Sequence, residues 1–414
     1  MLNISDSSGR RDLLIALAGR SVSTFGDGVA LIALTLRLQA DGASPYEVGL
    51  LMGAGIIPLL LLARPVGRLV DSHDSRLLLV GATLIEAACT IPLIVLHSVA
   101  VILVLVAILG AAASVSAATW SALIPRIVGE EHVAQAMSAQ QSLNALMLVG
   151  APAVGGLLAG TFGSALPLAL DAASYVVLAG AAALVRTRRR PERLDADGGP
   201  ASAGRSGFEI LRTDRVIAPL IVGLMVVVLC VGMVDVVLVF LIRGTLHAGG
   251  GWYGVAEASW MAGMVAGALS AGLIKSERAR IWATIAGAGL ACAALAPFAV
   301  VPAAWMLLPL SVLGGIGNGW AGACFSTLLV SRTPDAERGR VSAAANAAFG
   351  GAQGVSLLIG GAAAAVLSPR AIYAAAGLAG VTVAIAIALL HGRASHAPAD
   401  SRRGRSRFQV AQDG

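Results

Sequence analysis

Twelve stretches of about 20 apolar residues, parted by short polar breaks, follow one another along this chain. A helix rises about 1.5 Å per residue, so each stretch reaches across a hydrocarbon core of about 30 Å. No water satisfies an exposed backbone amide there, and a helix closes every hydrogen bond within its own span. Charge is correspondingly scarce: 13% of 414 residues, against 57% hydrophobic. A soluble domain carries about 25% charge. The sequence therefore predicts an all-α polytopic membrane protein. Its spans fall at 13–38, 46–66, 76–96, 99–122, 136–160, 165–186, 216–242, 252–274, 280–300, 304–330, 341–366 and 370–391.

The formal net charge of +6 does not point to nucleic acid, because the basic residues lie on one side. With the N-terminus inside, only Arg37, Arg243 and Arg370 fall in outer segments, and Arg20 lies within the first span. That leaves 29 − 4 = 25 basic residues on the inner side. This is the positive-inside pattern, and it places both termini in the cytoplasm. The Arg-rich, Ala-rich composition fits a bacterial plasma membrane. "GRRDLLIALAG" near the N-terminus has a twin-arginine look, but Arg20 and Asp27 interrupt the apolar run, which is long enough to be a retained span. Cys89, Cys230, Cys292 and Cys324 all lie inside spans without metal-ligand spacing and read as packing residues. No metal, cofactor or enzymatic chemistry is expected. There is no catalytic triad, and the single lysine, Lys275, belongs to no phosphate-cradling loop.

A basic stretch, "RTRRRPERLDADGGPASAGRSG", parts spans 6 and 7, and the segments on either side of it resemble each other. Asp27 corresponds to Asp235, Tyr46 to Tyr253, Arg76 to Arg280 and Arg126 to Arg332. "MSA" at Met137 corresponds to "VSA" at Val341, and Gly155-Gly156 to Gly360-Gly361. The offsets run only from 204 to 208. A duplicated six-helix unit follows: bundles at 1–186 and 216–391, a cytoplasmic linker at 187–215 and a basic tail at 392–414. Two such halves related by an axis along the membrane normal form a known transporter architecture with its solute site at midplane.

The break "GRLVDSHDSR" between spans 2 and 3 holds Gly67, Asp71 and Arg76. It resembles the loop motif of the major facilitator superfamily, with Ser72, Asp74 and Ser75 standing where that motif has arginine, glycine and a basic residue. In span 5, "LVGAPAVGGLLAG" carries Gly150, Pro152, Gly155 and Gly156, close to a motif of that superfamily's proton-antiporting exporters. "LIPRIVGEEHVAQAMSAQQ" and "ALDAASYVVLAG" look most like the branch of macrolide-efflux and enterobactin-exporter proteins. The span-4 arginine frequent in the family is missing from "AILGAAASVSAATW", so no mechanism that uses it carries over. The resemblance implies two six-helix bundles, a gating role for Gly67, Asp71 and Arg76, and proton-coupled export of amphipathic small molecules. A proton-coupled importer or facilitator of a small nutrient is the alternative. The partners implied are a small-molecule substrate, protons and the lipid bilayer, and a monomer is expected.

A charge within a bilayer costs roughly 2.5–3.5 kcal/mol on insertion scales and commonly faces a cavity. Asp27 is the first candidate for carrying a coupled proton, and Asp235, its repeat-mate, the second. Arg20 lies seven residues before Asp27, nearly on the same helical face, and can line one cavity with it. Glu86 in span 3 and Asp171 in span 6 are lesser candidates, with a buried structural pair as the alternative for each. Gln140, Gln141 and Asn144 form the polar face of span 5 and, with Phe25, are candidates for the substrate cavity. Trp120, Trp260 and Trp320 read as pocket aromatics or as membrane-interface residues.

Overall fold

The computed structural model describes residues 7–187, 206–214 and 216–396. Among them are fourteen α-helices and no strand. The first seven are α1 (Ser7–Ala40), α2 (Pro45–Leu61), α3 (Ala63–Ser72), α4 (Ser75–Leu93), α5 (Val99–Val128), α6 (Val133–Phe162) and α7 (Ala165–Leu184). A short α8 (Gly207–Thr213) follows. Then come α9 (Ile217–Val239, prolonged by a π-helical turn to Thr245), α10 (Gly251–Ala271), α11 (Glu277–Leu295), α12 (Leu307–Arg332), α13 (Arg338–Ala363) and α14 (Pro369–His396).

Each of the twelve expected spans has its helix. Eight helices are long and apolar enough alone to cross a membrane, nine if α2 and α3 count as one bent span. The long helices α10, α12 and α13 miss that hydropathy mark because small residues replace apolar bulk. The reason is visible in their packing: Gly263 and Gly267 of α10 lie against the backbone of α12, as Gly315 and Gly319 of α12 lie against α10. A helix that packs closely on protein needs small residues more than it needs greasy ones.

Two features depart from the sequence reading. Span 2 is not one rod; it bends by 57° between α2 and α3 and runs on to Ser72. Pro65 lacks the amide that would continue the ladder across this junction. Gly67 and Asp71 therefore stand on a helix rather than in a loop. Within the expected linker, α8 packs its buried Leu211 into the core beside α9 and α13, and Gly207 sits against the Arg340 carbonyl. Residues 188–205 and 215 of that linker, and the tail beyond 396, lie outside the described residues.

The packing pattern repeats. In the first group α1 packs on α6 and α7, α2 on α5, and α4 on α5 and α7. In the second α9 packs on α13 and α14, α10 on α12, and α11 on α12 and α14. Counted by span, the two patterns are the same. The groups meet through α6 against α10 and α2 against α13, again a pair that the duplication interchanges.

Glycines set how close these crossings come. Gly155 lies on the Val29 backbone of α1, while Gly156 faces Gly254 of α10. In the second half Gly360 lies on Met233 of α9, and Gly361 faces Pro45 and Tyr46 of α2. Each glycine pair thus joins its own half's first helix to the other half's second helix. A Cβ on Gly254 would stand 2.1 Å from the Pro152 carbonyl. Gly254→Val should lower the melting temperature in detergent, since overpacking of this kind costs roughly 1–3 kcal/mol. Gly351→Ala, where a Cβ meets nothing within 4 Å, should leave it unchanged or higher. A G254V protein as stable as wild type would mean the two backbones do not touch.

Candidate functional site

The polar side chains of the first half converge. α1 runs unbroken past Gly26 and Gly28, which keeps Arg20 and Asp27 on one face. The Tyr175 hydroxyl of α7 donates to Asp27 Oδ1 at 2.5 Å. Asp27 is otherwise exposed although it lies mid-helix. Asp171, one turn before Tyr175, is buried. It fits because Gly26 opposite has no Cβ; one there would stand 2.6 Å from both Asp171 Oδ1 and Ser174 Oγ. Glu86 of α4 is buried and accepts from Ser116 of α5 at 3.3 Å. Arg20, Asp27, Glu86, Ser116 and Trp120 line one cavity of about 160 Å³. Trp120 is fully buried there, not at a membrane interface.

The second half holds another acidic site. Asp235 of α9 is half-buried and accepts a hydrogen bond from Gln353 of α13. Glu257 of α10 lines the same small cavity, about 20 Å³, with Tyr373 of α14. That volume holds about one water. The Tyr373 ring stacks on Phe298 with centroids 4.9 Å apart, and its hydroxyl donates to the Val234 carbonyl at 3.3 Å. Glu257 and Tyr175 escaped the sequence reading. Glu257 is the lone acid of span 8 and was open to the criterion that found Asp235; nothing in the sequence marks Tyr175.

Of the substrate-cavity candidates, Phe25 lies against Gly150, Gln140 and Asn144 are half-buried, and Gln141 is exposed. A larger cavity of about 390 Å³ lies in the other half, between α9, α12 and α13. Phe325 and Phe349 meet edge to face there at 5.6 Å, beside Asn318, Ser326 and Asn346. Its size lies within the roughly 300–1,000 Å³ of small-molecule pockets. Asn346 stands 346 − 141 = 205 residues from Gln141, the offset that relates Gly155 to Gly360. Among the described residues no group of three His, Cys, Asp or Glu is placed to hold a metal ion. All four cysteines are free and buried.

The model of the Major Facilitator Superfamily matches residues 16–354 and 245–412. The chain belongs to the major facilitator superfamily. It is a transporter, not an enzyme. It is 24% identical over 275 residues to macrolide efflux protein A of Streptococcus pyogenes, a match that covers 64% of this chain and 67% of the relative. Among solved structures it is similar to the nucleoside transporter NupG (TM-score 0.69, 12% identity, 93% of this chain and 99% of that one). It is also similar to a bacterial homologue of the iron transporter ferroportin in an inward-facing state (TM-score 0.66, 17% identity, 91% and 98%). At these identities the structures show the superfamily fold alone.

In this superfamily member the segment expected to gate is built differently from a loop. Asp74 is the N-cap of α4, accepting from the amides of Arg76 at 2.9 Å and Leu77 at 3.4 Å. Arg76, in the first turn of α4, donates to the Val185 carbonyl just past α7. The second half carries a charged cluster of its own near the start of α11. Arg332, repeat-mate of Arg126, pairs with Glu277 in the first turn of α11 and with Asp214 at 3.1 Å. Asp214 Oδ1 in turn accepts from the amides of Val216 at 2.7 Å and Ile217 at 2.9 Å, where α9 begins. Partial burial pushes the Asp214 carboxyl up. The Ile217 and Val216 amides and the Arg332 guanidinium outweigh it and hold that carboxyl below the ordinary value.

A carboxyl depressed by folding stabilises the protein above its unfolded value, about 3.9, and that contribution fades as pH falls through the lower folded value. Asp214→Asn should therefore melt below wild type at neutral pH, with the gap closing as pH drops below about 4. A gap that stays constant with pH would mean the charge of Asp214 contributes nothing.

Proposed function

We propose that this transporter is a proton-coupled exporter of amphipathic small molecules, working by alternating access in a bacterial plasma membrane with its basic end in the cytoplasm. The observation that carries the reading is Asp27: a carboxylate in the middle of the first span, exposed on one side and held by a single neutral donor on the other. Such a group can be reached by water, take up a proton and release it without dismantling an ion pair. Export rather than uptake is favoured by the likeness to macrolide efflux protein A. The cavity beside Asn318, Phe325 and Phe349, mostly apolar with a few amides and hydroxyls, suits an amphipathic cargo.

The backbone crossings at Gly156 and Gly361 lie toward the ends of α6 and α13 remote from the basic side. Toward the basic side Gln135, Met137, Ser138 and Gln141 of α6 are exposed. This fits a conformer open to the cytoplasm, in which cargo enters while Asp27 exchanges its proton. The gating role of Gly67, Asp71 and Arg76 belongs to this reading: α3 and the start of α4 must shift when the basic side closes.

Cells that express the protein should accumulate less of a transported dye such as ethidium than cells with an empty vector, and an uncoupler should erase the difference. Asp27→Asn should abolish that uphill export, leaving the protein folded and in the membrane. Uncoupler-insensitive export, or net uptake driven by the same gradient, would reject the proposal. Full export by D27N would remove Asp27 from it.

A further inference from the structure

Among the described residues of the first half, eight buried side-chain polar atoms have no hydrogen-bond partner, and three of the eight belong to residues that line the 160 Å³ cavity: Arg20 Nε, Glu86 Oε2 and Trp120 Nε1. Glu86 is 2% exposed and Trp120 0%, so neither reaches bulk solvent. An unpaired carboxylate oxygen in such surroundings carries the full cost of its lost hydration. The residues that carry these three atoms line one space together with Ser23, Thr24, Asp27 and Ser116, a polar site for something that both donates and accepts. Water does both. By this measure one water needs roughly 10–15 Å³, so the cavity takes a short chain of them.

The same dimensions argue against cargo. The volume falls below the roughly 300 Å³ at which drug-sized pockets begin. The walls come only from α1, α4, α5 and α7, inside one half, not from the seam between halves. Asp27 lies at this cavity as well, and the Arg20 charge acts on both acids.

We propose that Glu86 is a second proton-carrying group, exchanging its proton with Asp27 through waters that Arg20 and Trp120 position in this cavity. The inference rests on the reading of Asp27 as a proton carrier and extends it inward. The step balances. The O–H bond of the Asp27 carboxyl breaks as its proton passes to the first water, each water hands one proton on, and an O–H bond forms on the Glu86 carboxylate. No electrons change hands, and one negative charge moves from Glu86 to Asp27. The ionisable groups that face Glu86 are Arg20 and Asp27 from α1, Asp171 and Tyr175 from α7, and Cys89 on its own helix. α5 contributes the Ser116 hydroxyl. Arg20 is the one cation among them, so Glu86 and Asp27 compete for a single counter-charge.

The test uses the full-length protein in lipid and needs no cargo. Infrared difference spectra recorded across a pH series report each carboxyl that gains or loses a proton. Wild type should show two titrating carboxyls whose steps are linked. Glu86→Gln should remove one and turn the other into a single independent step, and Glu86→Asp should restore two. Trp120→Phe should keep both carboxyls and weaken the link between their steps. An E86Q spectrum identical to wild type, or an Asp27 step that E86Q leaves unmoved, overturns the proposal. If D27N instead leaves the spectrum unchanged, the reading of Asp27 itself fails. Should E86Q not fold, E86D and W120F carry the test: an unchanged linkage in both overturns it.

Discussion

Where Gly156 meets Gly254, two helices from opposite halves touch backbone to backbone, and the rest of the molecule is arranged around that closeness. In a bilayer no hydrophobic force presses helices together, because lipid is as apolar as leucine; close packing and dispersion must serve instead. Dispersion falls off steeply, and a gap of 0.5–1 Å forfeits roughly a quarter to a half of it. A contact made this way is firm when closed and gone when open. It has no charge to desolvate and no hydrogen bond to orphan. Gly361 repeats the device against Pro45 and Tyr46. The two crossings together make a seam between the halves that rests on close packing alone.

The halves share a packing pattern but not an electrostatic one. The first places three buried or cavity-lining acids around one cation, Arg20, and leaves room for water between them. The second has two acids, Asp235 and Glu257, with Gln353 and Tyr373 beside them and space for about one water. The halves are thus alike in what holds their helices together and unlike in what those helices hold. The apolar cavity at Phe325 and Phe349 lies in the half whose acids have no adjacent arginine. The acids around Arg20 and the cavity at Phe325 and Phe349 thus lie in different halves.

Much of this was legible because a bilayer leaves so few options. Apolar length fixed the spans, and Gly155-Gly156 visibly recurs at Gly360-Gly361, but only the structure shows that the halves cross there. What escaped was local. The 57° bend at Leu62 depends on where Pro65 falls within a turn, which hydropathy does not register. Asp74 looked like a defect in a family motif and is a helix cap; only the direction of α4 reveals that. The hydrogen bond from Tyr175 to Asp27 joins residues 148 apart. No periodicity encodes it, since it exists only once α7 has docked on α1. Glu257 is the plain omission: a lone carboxylate in an apolar run, legible by the same rule as Asp235.

The arginines at the end remote from the termini account for the exceptions to the charge asymmetry. Arg37 donates to the carbonyls of Leu93 at 2.6 Å and Leu96 at 2.9 Å, and Arg370 to that of Val301 at 3.2 Å. Helix C-termini present unpaired carbonyls and a partial negative charge, so a cation there answers both needs without a carboxylate partner. Arg243 reaches across to the Leu36 carbonyl of the other half, at a long 3.4 Å. At the basic end the described arginines include one held by acids instead, Arg332 between Asp214 and Glu277. Carbonyls do not titrate in the physiological range, and carboxylates in water do so only in acid. Neither set of arginine contacts therefore answers a change of a pH unit or two near neutrality. The proton carriers proposed above, Asp27 and Glu86, lie apart from both sets, around the single cation Arg20 at one cavity.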